Sequence, residues 1–253
     1  MQNKDTVIQT SYTEALKTAK NNSSSCCCSP DVGTEILLSS FDKDPFDKDP
    51  LNLDQSISFG CYRLDPILQK RIQKGNTVID FGSGPGHDLF LAARVVGLEG
   101  KAIGVDFTDA MIEEASRIAK EKGLTQVKLV KASIEGIPLD DNLADAIISN
   151  CVINLTMNKQ AVFNEAFRLL KPGGQLIDAD IISGGDFSEA LMKNNDLWCS
   201  CIGGALTKDE TIKLLQKSGF IDINVTLGEK GSFIFEGKEY ISFSSIILAK
   251  KPI

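Results

Sequence analysis

Histidine and tryptophan each occur once in this 253-residue sequence, and positive charge is in deficit: 27 Lys and Arg against 34 Asp and Glu leave a formal net charge of −7. Polyphosphate backbones are bound through clustered Lys and Arg, so no nucleic acid partner is expected. Long apolar runs are missing too. The longest, such as Ala144–Ser149 and Ile246–Ala249, fall far short of the roughly 20 residues that cross a bilayer, and no membrane partner is expected either. The polar start MQNKDTVIQT lacks the apolar core of a secretory leader, which makes the cytoplasm the expected compartment. One histidine and no C-x-x-C pair leave no ordinary zinc site.

What is present is globular. Hydrophobic residues make up 42% of the chain and charged residues 24%, enough for one large α/β domain with appended segments. The seven cysteines form an odd count in a reducing compartment, so free thiols rather than structural disulfides are expected. For any one of them, packing as a small buried hydrophobe is the competing reading.

Three segments are expected: 1–56, an N-terminal helix and cysteine-containing loop; 57–182, the core; and 183–253, a covering insertion followed by a helix and strands that complete the sheet. Within the first, Thr6–Lys20 carries a weak apolar stripe of Val7, Ala15, Leu16 and Ala19, and FDKDP occurs twice in tandem at 41–50. From Asn76 onward short apolar runs alternate with helical patterns, as in a parallel sheet covered on both faces. Strands are predicted at Thr77–Phe81, Ala102–Asp106, Val127–Lys131, Ala144–Ser149 and Gln175–Ala179, with helices at His87–Val96, Asp109–Lys122 and Lys159–Leu170. A helix at Lys208–Ser218 and two strands, Asp222–Leu227 and Tyr240–Ala249, finish the chain as an antiparallel hairpin at one sheet edge. The expected fold is a doubly wound, seven-stranded, mostly parallel α/β sheet.

The strongest motif is VIDFGSGPGHD, Val78 to Asp88, a strand running through glycines into a helix. Gly82, Gly84 and Gly86 permit a tight turn and a close backbone approach to a ligand, with Ser83 among them, and Asp106, twenty residues past Gly86, can accept both ribose hydroxyl protons. Loop and acid together describe a nucleoside site. The spacing is G-x-G-x-G, and His87 stands where a dinucleotide fingerprint has its third glycine. Asp80 is placed to accept from an ammonium group. The loop resembles motif I of the class I methyltransferases, and that resemblance implies S-adenosylmethionine as cofactor. It further implies that Phe107 and Met111 line the adenine or ribose pocket and that Ser133, Ile134 and Glu135 meet the adenine edge. His87 reads as a packing or polar contact near the methionine moiety, with a general-base role as the rarer alternative.

The cysteines fall at Cys26–Cys28, Cys61, Cys151, Cys199 and Cys201. Cys151 follows the fourth strand directly, at the sheet edge where such folds bind ligands, and Cys201 lies in an insertion that can fold over that edge. Separated thiols that converge suit a soft, trigonal-pyramidal centre such as As(III). The segments FGC (59–61), IDFGSGPGHD (79–88), GVDFT (104–108), SNCVINL (149–155) with NKQAVFNEAFRLLKPGG after it, and LWCSCIGGAL (197–206) resemble the arsenite methyltransferases.

The resemblance implies that Cys61, Cys151 and Cys201 bind arsenic, that Asn150 and Val152 contact the cofactor, and that one of Cys26, Cys27 and Cys28 can pair with Cys61 in a disulfide during turnover. It implies methyl transfer to thiolate-bound arsenite and methylarsenite in arsenic detoxification, with thioredoxin or glutathione as reductant; a monomer is expected. Cys199 is an additional thiol, YRLDP follows Cys61 where relatives carry a shorter Gly-rich turn, and the C-terminal extension of animal members is missing, as in microbial ones. Two other readings stand beside this one: a methyltransferase for a small organic acceptor with structural cysteines, and a thiol-rich binding module that uses the nucleoside fold only as scaffold.

Overall fold

The computed structural model describes residues 3–21 and 62–253; Cys26, Cys27, Cys28 and Cys61 lie outside them. In chain order the elements are α1 (Lys4–Asn21), α2 (Asp65–Arg71), β1 (Thr77–Phe81), α3 (His87–Val96), β2 (Lys101–Asp106), α4 (Asp109–Glu121), β3 (Val127–Lys131), β4 (Ala144–Asn150), a 3-10 turn (Ile153–Leu155), α5 (Lys159–Leu169), β5 (Leu170–Ser183), α6 (Glu189–Lys193), α7 (Asn195–Cys199), α8 (Lys208–Lys217), β6 (Ile221–Phe235) and β7 (Lys238–Lys250). The strands form one seven-stranded sheet in the order β3-β2-β1-β4-β5-β7-β6. β1 to β5 run parallel, and β7 pairs antiparallel with both β5 and β6.

The apolar runs lack two-residue alternation because both faces of the sheet are covered. Val78, Ala102, Ala146 and Ile148 pack under α2, α3 and α4 on one face. Ile79, Phe81, Ile103, Val105 and Ile147 pack under α5 and α8 on the other. α4 buries Met111, Ala115, Ile118 and Ala119, a helical stripe. α8 opens with a capping box between Thr207 and Glu210, and Glu236 and Gly237, both at positive φ, turn β6 into β7.

Several boundaries differ from expectation. β5 starts at Leu170, which pairs with Ala144 before a register shift skips the Pro-Gly-Gly segment. β6 continues past Leu227 to Phe235 because it is an edge strand with mostly exposed residues, and neither face writes a pattern into the sequence. The insertion contains α6 and α7, each five residues long and each capped by a side chain, Ser188 and Asn194. In α1 the buried residues are Ile8, Leu16 and Ala19; Val7 stays partly exposed. A third apolar cluster, with Ile8, Leu155, Leu191, Leu197, Trp198 and Ile202, covers the carboxyl end of the sheet and encloses Cys151 and Cys201.

Candidate active site

Strand order reverses between β1 and β4, and the crevice this opens at the carboxyl ends of the strands is where open α/β sheets place ligands. A cleft of about 650 Å³, including the part open to solvent, occupies it.

One end of the cleft is built by the glycine loop. Gly82 has φ +66°, and a Cβ there would lie 2.3 Å from Val152 Cγ2, so the loop passes against the segment after β4 only because no side chain intervenes. The Gly84 N–H donates to Asp106 Oδ2 at 3.0 Å and the Thr108 N–H to Oδ1 at 2.8 Å, which fixes the carboxylate at the end of β2. Burial raises the Asp106 pKa, and those N–H bonds oppose the rise. Asn150 Nδ2 donates to Asp88 Oδ2 at 2.9 Å and to the Tyr62 carbonyl at 2.8 Å.

Asp80 Oδ2 is buried and has no hydrogen-bond partner among the described residues. Burial, then the Asp88 and Asp106 carboxylates, pushes Asp80 well above the usual carboxylate range. Among the described residues three acids line the cleft, Asp80, Asp88 and Asp106, and no Lys or Arg does. Such a site disfavours pyrophosphate and leaves an orphaned acceptor for a cation.

Of the residues expected to hold the cofactor, Asp80, Gly82, Ser83, Gly84, Asp106, Phe107, Met111, Asn150 and Val152 line this cleft, together with His87 and Cys151. Gly86 sits just behind, as the residue before α3. Ser133, Ile134 and Glu135 are not brought to it: Ile134 is part of the core on the α5 side, and Glu135 Oε1 accepts from the Asn158 N–H at 3.3 Å.

Sequence reasoning missed Ile8 and Tyr12 of α1, Asp88 and Leu155. Asp88 was legible as an acid in the first turn after the loop. Nothing in the sequence tied α1 to the cleft. Its Gln9 Nε2 donates to the Phe107 carbonyl at 3.3 Å, its Tyr12 hydroxyl to the Cys199 carbonyl at 3.2 Å, and its Lys20 pairs with Glu114 at 2.6 Å.

The other end carries sulfur. Cys151 and Cys201 are 3% and 1% exposed, and both hold the left-handed conformation, at φ 58° and 62°, which few residues other than glycine adopt. Their sulfurs and an Asp180 carboxylate oxygen lie within 4.8 Å of one another. The Cys201 thiol donates to the Cys151 carbonyl at 2.7 Å. Cys199 and Cys201 carry no disulfide, whereas Cys151 is disulfide-bonded. The expectation of free thiols thus fails at Cys151. Cys199 sits beside α1, its pKa raised by burial. Burial pushes Asp180 up to about 7, and burial, opposed by Asp180 and Cys201, brings Lys159 down to about 8.

A methyltransferase-domain family model matches residues 72–219, and the chain belongs to that family. Among individual relatives, it is 33% identical over 236 residues to an arsenite methyltransferase of Halobacterium salinarum, covering 89% of this chain and 59% of that one. It is 34% identical over 152 residues to the arsenite methyltransferase of Homo sapiens, covering 56% and 40%. The crystal structure of an arsenic(III) S-adenosylmethionine methyltransferase from Chlamydomonas reinhardtii superposes with a TM-score of 0.64 at 27% identity, covering 81% of this chain and 71% of that one. The chain spans about half the length of the curated relatives it matches. S-adenosylmethionine fits the donor end: Asp80 would hold its ammonium group and Asp106 its ribose hydroxyls.

Proposed function

We propose that the protein transfers methyl groups from S-adenosylmethionine to trivalent arsenic held by cysteine thiolates. The observation that carries this reading is the pair of buried sulfurs, Cys151 and Cys201, converging beside the cleft that the glycine loop builds. Soft As(III) prefers thiolate to oxygen or nitrogen, and Cys61 is the third thiol in this reading. Bound between Asp80 and Asp106, S-adenosylmethionine supplies an electrophilic sulfonium methyl group.

The chain's own work is positional. The thiols lose their protons as arsenic binds and hold its lone pair towards the donor end, and the apolar cluster around them keeps water out. The arsenic lone pair forms the new As–C bond as the S–CH₃ bond breaks, S-adenosylhomocysteine leaves, and arsenic rises formally from three to five. Two electrons, from the dithiol of thioredoxin or from two glutathione thiols in this proposal, return it to the trivalent state as a disulfide forms. No general base is required, and His87 acts as a contact near the donor. Cys26, Cys27 and Cys28 supply the relay partner of Cys61, and arsenite or its thiol adducts are the substrate.

The test is calorimetric binding of arsenite to reduced wild type, Cys151→Ser and Cys201→Ser. The proposal expects each variant to lose at least roughly tenfold in affinity, about 1.4 kcal/mol, with S-adenosylhomocysteine affinity retained. Unchanged arsenite affinity in both variants would instead favour a small organic acceptor with structural cysteines.

A further inference from the structure

Two cysteines in left-handed backbone at the same site need a holding device, and the structure supplies one that arsenic never has to touch. Asn154, in the 3-10 turn after Cys151, is 5% exposed. Its two Nδ2 protons serve three acceptors, Asp180 Oδ1 at 2.8 Å, the Ile181 carbonyl at 2.8 Å and the Cys201 carbonyl at 3.1 Å, so one N–H is shared between two of them. Its backbone N–H donates to Asp180 Oδ2 at 3.0 Å. Its own carbonyl accepts from Lys159 Nζ at 3.3 Å. That carbonyl also presses on the loop after Cys201, where a Cβ on Gly204 would lie 1.9 Å away.

Asn154 therefore joins three stretches of chain: the turn carrying Cys151, the strand β5 carrying Asp180, and the insertion carrying Cys201. We propose that Asn154, clamped by Asp180, is the positioning residue that sets the Cys201 thiol opposite Cys151 for the acceptor, an inference that rests on the arsenic reading above. The Cys201 carbonyl is held by the Asn154 amide while its thiol is aimed at the Cys151 carbonyl. Fixing one end of the residue fixes the other, because a left-handed residue has little freedom to re-aim its Cβ without leaving that region. Its donations reach residues 26 and 47 positions away, across β5 and the insertion.

The experiment uses the full chain, reduced, with arsenite as the probe and Trp198 as the reporter. Trp198 is the sole tryptophan, buried, and three residues from Cys201. Asn154→Ala is expected to raise the KM for arsenite by roughly tenfold or more, about 1.4 kcal/mol, and to weaken the arsenite-dependent fluorescence change equally, while S-adenosylhomocysteine binds within about twofold of wild type. In a Cys201→Ser background the same substitution is expected to have no further effect on arsenite binding.

An unchanged arsenite KM, an equal loss of donor binding, or an additive effect in the Cys201→Ser background would overturn the inference. Should Asn154→Ala fail to fold, Asn154→Ser, which keeps a polar hydroxyl in the buried turn but not the amide donor that reaches Cys201, is read by the same criteria. Wild type that binds no arsenite overturns the acceptor reading and this inference with it; wild type that binds arsenite no more tightly than Asn154→Ala overturns this inference alone.

Discussion

At Gly82 a single added methyl group would have nowhere to go: φ is +66° and Val152 Cγ2 is 2.3 Å from where the Cβ would lie. Gly82→Ala is expected to cost about 1–3 kcal/mol of stability and to weaken S-adenosylhomocysteine binding by more than its effect on melting would suggest, measured by calorimetry and thermal unfolding side by side. Asp80 gives a second residue-scale prediction. Burial and the Asp88 and Asp106 carboxylates hold its pKa up in the free protein, whereas a bound ammonium group pulls it down. Donor binding is therefore expected to release a proton, so affinity rises with pH until Asp80 is ionised in the free protein, and the measured heat depends on the ionisation enthalpy of the buffer. Asp80→Asn should abolish that dependence; buffer-independent heats for wild type would contradict it. The glycines, Asp80 and Asp106 were legible because loop chemistry demands those residue types at fixed offsets. Asn154 and Asp180 were not, since they meet only after β4 and β5 pair, and nothing at a separation of 26 residues announces that.

Among the elements, α1 bridges donor and acceptor ends, from Phe107 and Met111 to Cys199 and Trp198. Ile8 is 4% exposed in the apolar cluster around the cysteines and also lines the cleft. Ile8→Ala removes about 2–3 kcal/mol of packing at most. Because α1 makes few contacts with the sheet, that loss is expected to appear as weaker donor affinity, with the main unfolding transition shifted little; the reverse pattern would make α1 part of the global core. Sequence pattern located β1, β3 and α3 to the residue: β1 and α3 are buried runs bounded by turn residues, and β3 is a short alternating run whose Val127, Leu129 and Val130 are half-buried. It lost α6 and α7, too short for a period to develop, and the far half of β6, an exposed edge with no face to write a pattern. It lost the docking of α1 because a weak apolar stripe does not say what it will cover.

For the whole molecule, the doubly wound sheet brings an acid-lined nucleoside cleft and a sulfur pair to one edge, and the redox state of the sulfurs is expected to gate the second. With Cys151 disulfide-bonded, a thiolate is lacking at the acceptor end, so arsenite binding is expected to be lost in oxidised protein and restored by a dithiol, followed by Trp198 fluorescence. Binding that ignores reduction would contradict this. The central claim, that arsenic is the methyl acceptor, is tested most directly by incubating reduced protein with arsenite and methyl-labelled S-adenosylmethionine in the presence of a thiol reductant and separating the arsenic species. The account predicts label in methylated arsenic, lost with Cys201→Ser; label that never reaches arsenic while the donor site binds S-adenosylhomocysteine normally would contradict it.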